Sequence, residues 1–153
     1  MIYWNDLKTG QIFETGTITI SAQDIIDYAR EFDPQPYHLD PAIAELSIFG
    51  GHCASGWQVC ALMMRLFVDT MNREGISSSG SSAVESLRWF MPVFANDTLN
   101  ASITLGGHRL SDEHDGYGLV DCAIDVLNQN GKSVIKLDTN VLIKCNPVGA
   151  EHD

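Results

Sequence analysis

The clearest periodicity along the chain begins at Ser21. Ser21-Ala22-Gln23-Asp24 fits a capping box, in which hydroxyl and carboxylate each satisfy an orphan amide of the first helical turn. Ile25, Ile26, Ala29 and Phe32 then recur at helical spacing, while Gln23, Asp27, Arg30 and Glu31 fall on the other face. The helix is predicted to end at Asp33, because Pro34 pushes the residue before it out of the α region. From Pro34 to Cys53 the chain carries three prolines and Gly50-Gly51 and reads as irregular. So long an irregular stretch in a compact domain marks a functional segment.

A second helix, from about Gly56 to Asn72, is different in kind. Val59, Leu62, Met63, Leu66 and Phe67 form one stripe, and Trp57, Ala61, Met64, Val68 and Met71 cover much of the remainder. Arg65 is its only charge between Trp57 and Val68. A helix apolar nearly all round, but too short in its apolar run to span a bilayer, is expected to be central and wrapped by other elements. After a Ser/Gly linker (Ser77 to Ser82), four strand-like runs follow, roughly Ala83–Phe90, Thr98–Arg109, Tyr117–Asn128 and Ser133–Lys144. The last alternates, with Ile135, Leu137, Thr139, Val141 and Ile143 against Lys136, Asp138 and Asn140. Asp115-Gly116 and Asn130-Gly131 mark hairpins, and Pro92 to Asp97 a longer connection, so the strands are expected to form an antiparallel meander. A further strand fits Ile12–Ile20. The expected class is α+β, one domain over residues 1–153, with a curved antiparallel sheet around one buried helix.

Composition narrows the function classes. At 44% hydrophobic and 19% charged residues, disorder is excluded. The net charge of −11 argues against nucleic acid and against anionic membranes as partners. No apolar run is long enough to cross a membrane as a helix, and Met1 to Asp6 lacks a secretory pattern, so a cytoplasmic location is expected. Cys53, Cys60, Cys122 and Cys145 show no CxxC spacing and read as buried free thiols.

The densest polar cluster is Asp33-Pro34-Gln35-Pro36-Tyr37-His38-Leu39-Asp40. Its prolines stiffen the backbone, so Asp33 and His38 would keep a fixed separation. Such a pair can orient a water, the carboxylate taking its proton and the imidazole placing it. On spacing alone, a loop-capping Asp33 and a surface His38 explain the same residues. Ser55 suits the N-cap of the second helix, and free amides at Gly56, aided by the helix dipole, can hold an oxyanion. A sharp turn into a crowded helix accounts for the glycines equally. A Cys53 nucleophile beside His38 lacks an orienting third group, and His38 and Asp40 with His108 or His114 match no trusted metal spacing. Asp112 to Asp115 reads as a solvated hairpin tip, and His152 belongs to a fraying tail.

Together these stretches resemble the MaoC-like dehydratase family, which includes the (R)-specific enoyl-CoA hydratases. The resemblance rests on Asp33-Pro-Gln-Pro-Tyr-His38-Leu-Asp40, Phe49-Gly-Gly, Ala54-Ser-Gly56-Trp57, Arg88-Trp89 and Pro92 to Leu99, and runs from about Gly16 to Ile143. Gln35 stands where the family often has Asn, and Asn96 where it usually has Gly. The resemblance implies a hot-dog fold and a homodimer with its sheets joined edge to edge. It also implies a hydro-lyase acting on an acyl-CoA thioester, with no cofactor. In that reading Asp33 is the general base on a water added to a trans-2-enoyl thioester. His38 holds the same water, and the Gly56 amide polarises the thioester carbonyl. A hot-dog thioesterase and a non-catalytic acyl-thioester binder are the competing readings, since the fold hosts both. The acyl chain and its carrier are left open, with CoA favoured over an acidic carrier protein by the chain's own acidity.

Overall fold

The computed structural model describes residues 1–147, so His152 lies outside the described residues. Strand β1 spans Ile12–Thr19, and the capping box at Ser21 opens helix α1, Ala22–Phe32. The Ser21 hydroxyl accepts from the Asp24 amide at 3.0 Å, and the Asp24 carboxylate accepts from the Ser21 amide at 3.1 Å. Of the predicted stripe of α1, Ile25 and Ala29 are buried, Ile26 is half-buried and Phe32, in the last turn, is exposed.

The segment expected to be irregular holds two short helices, α2 (Pro36–Leu39) and α3 (Pro41–Glu45). Each begins on a proline. The fixed φ of proline and its missing N–H suit the first helical position, so residues read as breakers act as starters. The Asp40 carboxylate caps α3 by accepting from the amides of Ala42 and Ile43. Helix α4 then runs Gly56–Glu74 and stops at Gly75, whose left-handed φ of 73° closes its C-terminus.

Strands β2 (Val84–Trp89), β3 (Thr98–Leu110), β4 (Tyr117–Leu127) and β5 (Ser133–Lys144) complete one antiparallel sheet in the order β1-β3-β4-β5-β2. The β3–β4–β5 hairpins match the expected meander, but β2 does not adjoin β3. It pairs with β5 at the opposite edge. Its connection to β3 crosses the end of the sheet, which the Phe90 amide bonding to Val134, the Ala95 amide to His52 and the Asn96 amide to Ile20 trace in turn. Asn96 takes the left-handed turn position at φ 71°. The Ser/Gly stretch is not a free linker either. Ser79 and Gly80 exchange backbone hydrogen bonds with Leu142 of β5, and the Ser82 hydroxyl donates to Asn140. Asn140, expected on the solvent face, is buried for that reason.

The core lies between the sheet and α4, where Val59, Met63, Leu66 and Phe67 meet Leu99, Ile103, Ile124 and Ile135. The helix packs across β1 and β3. Its other flank is open, contrary to a fully wrapped helix: Trp57 is 59% exposed and Met64 52%. A cavity of about 180 Å³ opens there against Val84, Leu137 and Val141. Ile103 is fully buried. Ile103→Ala is expected to lower unfolding stability by about 2–5 kcal/mol, against about 1 kcal/mol for Ser21→Ala, both read by urea titration.

Candidate active site

Asp33 and His38 come together because α1 ends on one and α2 carries the other. Asp33 is the C-cap of α1, its amide bonding back to Ala29, and the Gln35 amide turns onto the Asp33 carbonyl. The His38 amide in turn bonds to Gln35. These turns bring His38 Nε2 to 3.3 Å from Asp33 Oδ2. His38 is 5% exposed, which rules out the surface-histidine reading.

The ring's other nitrogen, Nδ1, lies 2.7 Å from the Cys53 carbonyl oxygen. A carbonyl only accepts, so Nδ1 carries a proton and donates to it, and Nε2 is the ring nitrogen turned toward the Asp33 carboxylate. His52 supports the same backbone, its Nε2 donating to the His38 carbonyl at 2.6 Å. Tyr37 stacks edge-on against His38 with ring centres 4.5 Å apart. The carboxylate has its own clamp: Gln35 Nε2 donates to Asp33 Oδ1 at 2.7 Å, and the Tyr37 hydroxyl donates to Gln35 Oε1. Partial burial by itself would raise the Asp33 carboxyl. The Gln35 hydrogen bond, with help from Ser55 and His38, outweighs it and holds the group below the ordinary carboxylate value. Asp33 is therefore ionised throughout the neutral range.

The mouth of α4 supplies the third component. Ser55 occupies the N-cap position, yet its side chain makes no capping hydrogen bond. The Trp57 and Gln58 amides are left without that partner, and the Gly56 amide, ahead of a cap's reach, stands beside them at the positive end of a 19-residue helix. Gly56 is constrained by a neighbour. Trp89 Nε1 donates to the Gly56 carbonyl at 2.9 Å, and a Cβ on Gly56 would stand 2.7 Å from that same nitrogen. Asp33, His38 and Gly56 border one cavity of about 490 Å³, with Tyr37, Trp57, Trp89 and Phe90 among its walls.

The remaining candidates are elsewhere or otherwise engaged. Asp40 is a cap, and His108 hydrogen-bonds the Gly106 carbonyl at the far end of β3. The Cys53 thiol is 3.9 Å from His38 Nδ1, whose proton is already directed to the carbonyl, and burial pushes that thiol up, away from thiolate. Sequence reasoning missed the Gln35 clamp and the Trp89 contact. Gln35 was legible only as a substitute for Asn, and no local pattern announces that β2 ends on the start of α4.

The five-stranded antiparallel sheet and α4 make this a hot-dog protein, with Asp33, His38 and Gly56 on one cavity. The comparisons agree on the lineage. The MaoC-like domain family matches residues 6–121, and the chain belongs to that family. A MaoC-like dehydratase structure from Rhodospirillum rubrum is 34% identical with a TM-score of 0.83, covering 96% of this chain and 99% of the other. The unliganded (R)-hydratase PhaJ1 of Pseudomonas aeruginosa is 25% identical with a TM-score of 0.69, covering 95% and 87%. The uncharacterized protein YdeM of Bacillus subtilis is 26% identical over 140 residues, 92% of this chain and 97% of its own.

Gly56→Ala is expected to displace the Trp89 indole. Tryptophan emission should shift to the red, and stability should fall by about 1–3 kcal/mol, the cost of overpacking. An unshifted spectrum at unchanged stability would mean that the Gly56–Trp89 contact is looser than described.

Proposed function

We propose that this protein is a hydro-lyase that adds water across the double bond of a trans-2-enoyl-CoA, or removes it in reverse. The observation that carries the reading is the 3.3 Å approach of Asp33 Oδ2 to His38 Nε2, a carboxylate and an imidazole side by side on one wall of the cavity. One water on this wall can donate a hydrogen to the Asp33 carboxylate while His38 fixes its position, which aims an oxygen lone pair at a single face of a bound alkene. In the forward direction the water oxygen bonds to the β-carbon, and Asp33 takes the proton released. The alkene electrons move onto the thioester oxygen as an enolate. The α-carbon then receives a proton, with His38 assisting, and the pair returns to its starting state. The Gly56 amide stabilises the enolate oxygen, aided by the α4 dipole.

CoA is the carrier in this reading. Arg88 and Lys136 stand opposite one another across β2 and β5, and both lie against the Phe90 ring that borders the cavity. They give an acidic chain a local pair of cations suited to nucleotide phosphates. The working unit is a homodimer in the cytoplasm. Its support is the sheet edge at β2 together with the exposed Trp57, Met64, Val84 and Trp89 beside it.

Crotonyl-CoA tests the reaction, with loss of conjugated-thioester absorbance and free thiol followed in the same cuvette. Absorbance should fall without thiol release. Asp33→Asn should cut turnover by about two to four orders of magnitude with folding unchanged. Thiol release would make the protein a thioesterase. Full activity in the folded variant would remove Asp33 from the mechanism.

A further inference from the structure

Ser55 is out of character for its position. A serine at a helix N-cap ordinarily turns its hydroxyl onto the amide of the second or third helical residue. Here the backbone is in place, at φ −54° and ψ 136°, but the hydroxyl makes no capping bond. Nor does Ser55 Oγ find another partner in hydrogen-bond geometry, although the residue is 0% exposed. Buried hydroxyls are rarely left so, because an unmet polar group loses its hydration for nothing in return. A hydroxyl withheld from the helix leaves the Trp57 and Gln58 amides uncapped by it.

We infer that Ser55 is a positioning residue for the proposed reaction: its buried hydroxyl turns to the Asp33 carboxylate and holds that group on the water shared with His38. This rests on the hydratase reading for its consequence in turnover, but not for the contact itself. The Asp33 carboxyl already feels Ser55, which helps keep it ionised. Gln35 on Oδ1 and His38 beside Oδ2 both reach the carboxylate from α2 and its cap, and Ser55, at the head of α4, adds a hold from a second element. The other ionisable groups sensing its charge are His38, Tyr28 and Tyr37, none of which is altered by an exchange at Ser55.

The test is Ser55→Ala, with Ser55→Cys as a near-isosteric second variant. In Ser55→Ala, kcat should fall roughly 10- to 100-fold, the range for losing a hydrogen bond to a charged group. KM should change less than about threefold if binding is untouched. The carbon-13 titration of the Asp33 side chain should move up toward the ordinary carboxylate value. The urea midpoint at neutral pH should fall modestly, and the difference should shrink as the pH drops through the Asp33 titration, because the bond that favours the ionised carboxylate is lost. Ser55→Cys should fall between alanine and wild type in both kcat and titration. A lower urea midpoint with unchanged kcat would make Ser55 a structural cap, and an unmoved Asp33 titration would break the link to the carboxylate. Either overturns the inference. The titration is read without substrate. If wild type hydrates no enoyl thioester while the titration still shifts, it is the hydratase reading that fails.

Discussion

The hydrogen bond from His38 Nδ1 to the Cys53 carbonyl joins the two halves of the site. On one side of it stand α1 and α2, which set Asp33 against His38. On the other stands the short run of chain that leads through Ala54 and Ser55 to the mouth of α4. The bond holds Nδ1 as a donor to the carbonyl, and so fixes the ring with Nε2 turned toward Asp33. It also ties His38 to the run of chain that ends at Gly56. Without it, the carboxylate–imidazole pair and the helix mouth would be separate features of separate segments.

The surroundings of this bond lock it from several directions. The Ala54 amide is tied to Val93 of the connection that crosses the sheet end, and His52 returns a bond to the His38 carbonyl. Trp89, at the end of β2, reaches the Gly56 carbonyl. The placement of β2 beside β5 is thus not a detail of topology. Only from that edge does its last residue meet the start of α4, and the return path to β3 then has to pass under the residues that carry the site. A site held by a rigid neighbourhood keeps reacting groups in place before substrate arrives.

Much of this was legible beforehand, for reasons that are physical. Alternation in β5, the capping box at Ser21 and the Asn130-Gly131 turn are local signals, and local structure followed them. The Asp33–His38 spacing was legible because prolines on both sides limit the backbone. What escaped depends on contacts distant in sequence. Burial of Asn140 comes from Ser82, 58 positions away, and the Trp89–Gly56 contact joins residues 33 apart. The open flank of α4 escaped for another reason: an apolar helix surface shows that something covers it, not whether the cover belongs to the same chain.

The central claim is that Asp33 and His38 serve one water, and the most direct measurement is a double-mutant cycle on kcat for enoyl-CoA hydration. Asp33→Asn and His38→Ala should each slow turnover severely, and the double variant should be little slower than the slower single, because one function cannot be lost twice. Losses that multiply would show two residues acting at separate steps, and would contradict the shared water on which this account of the site is built.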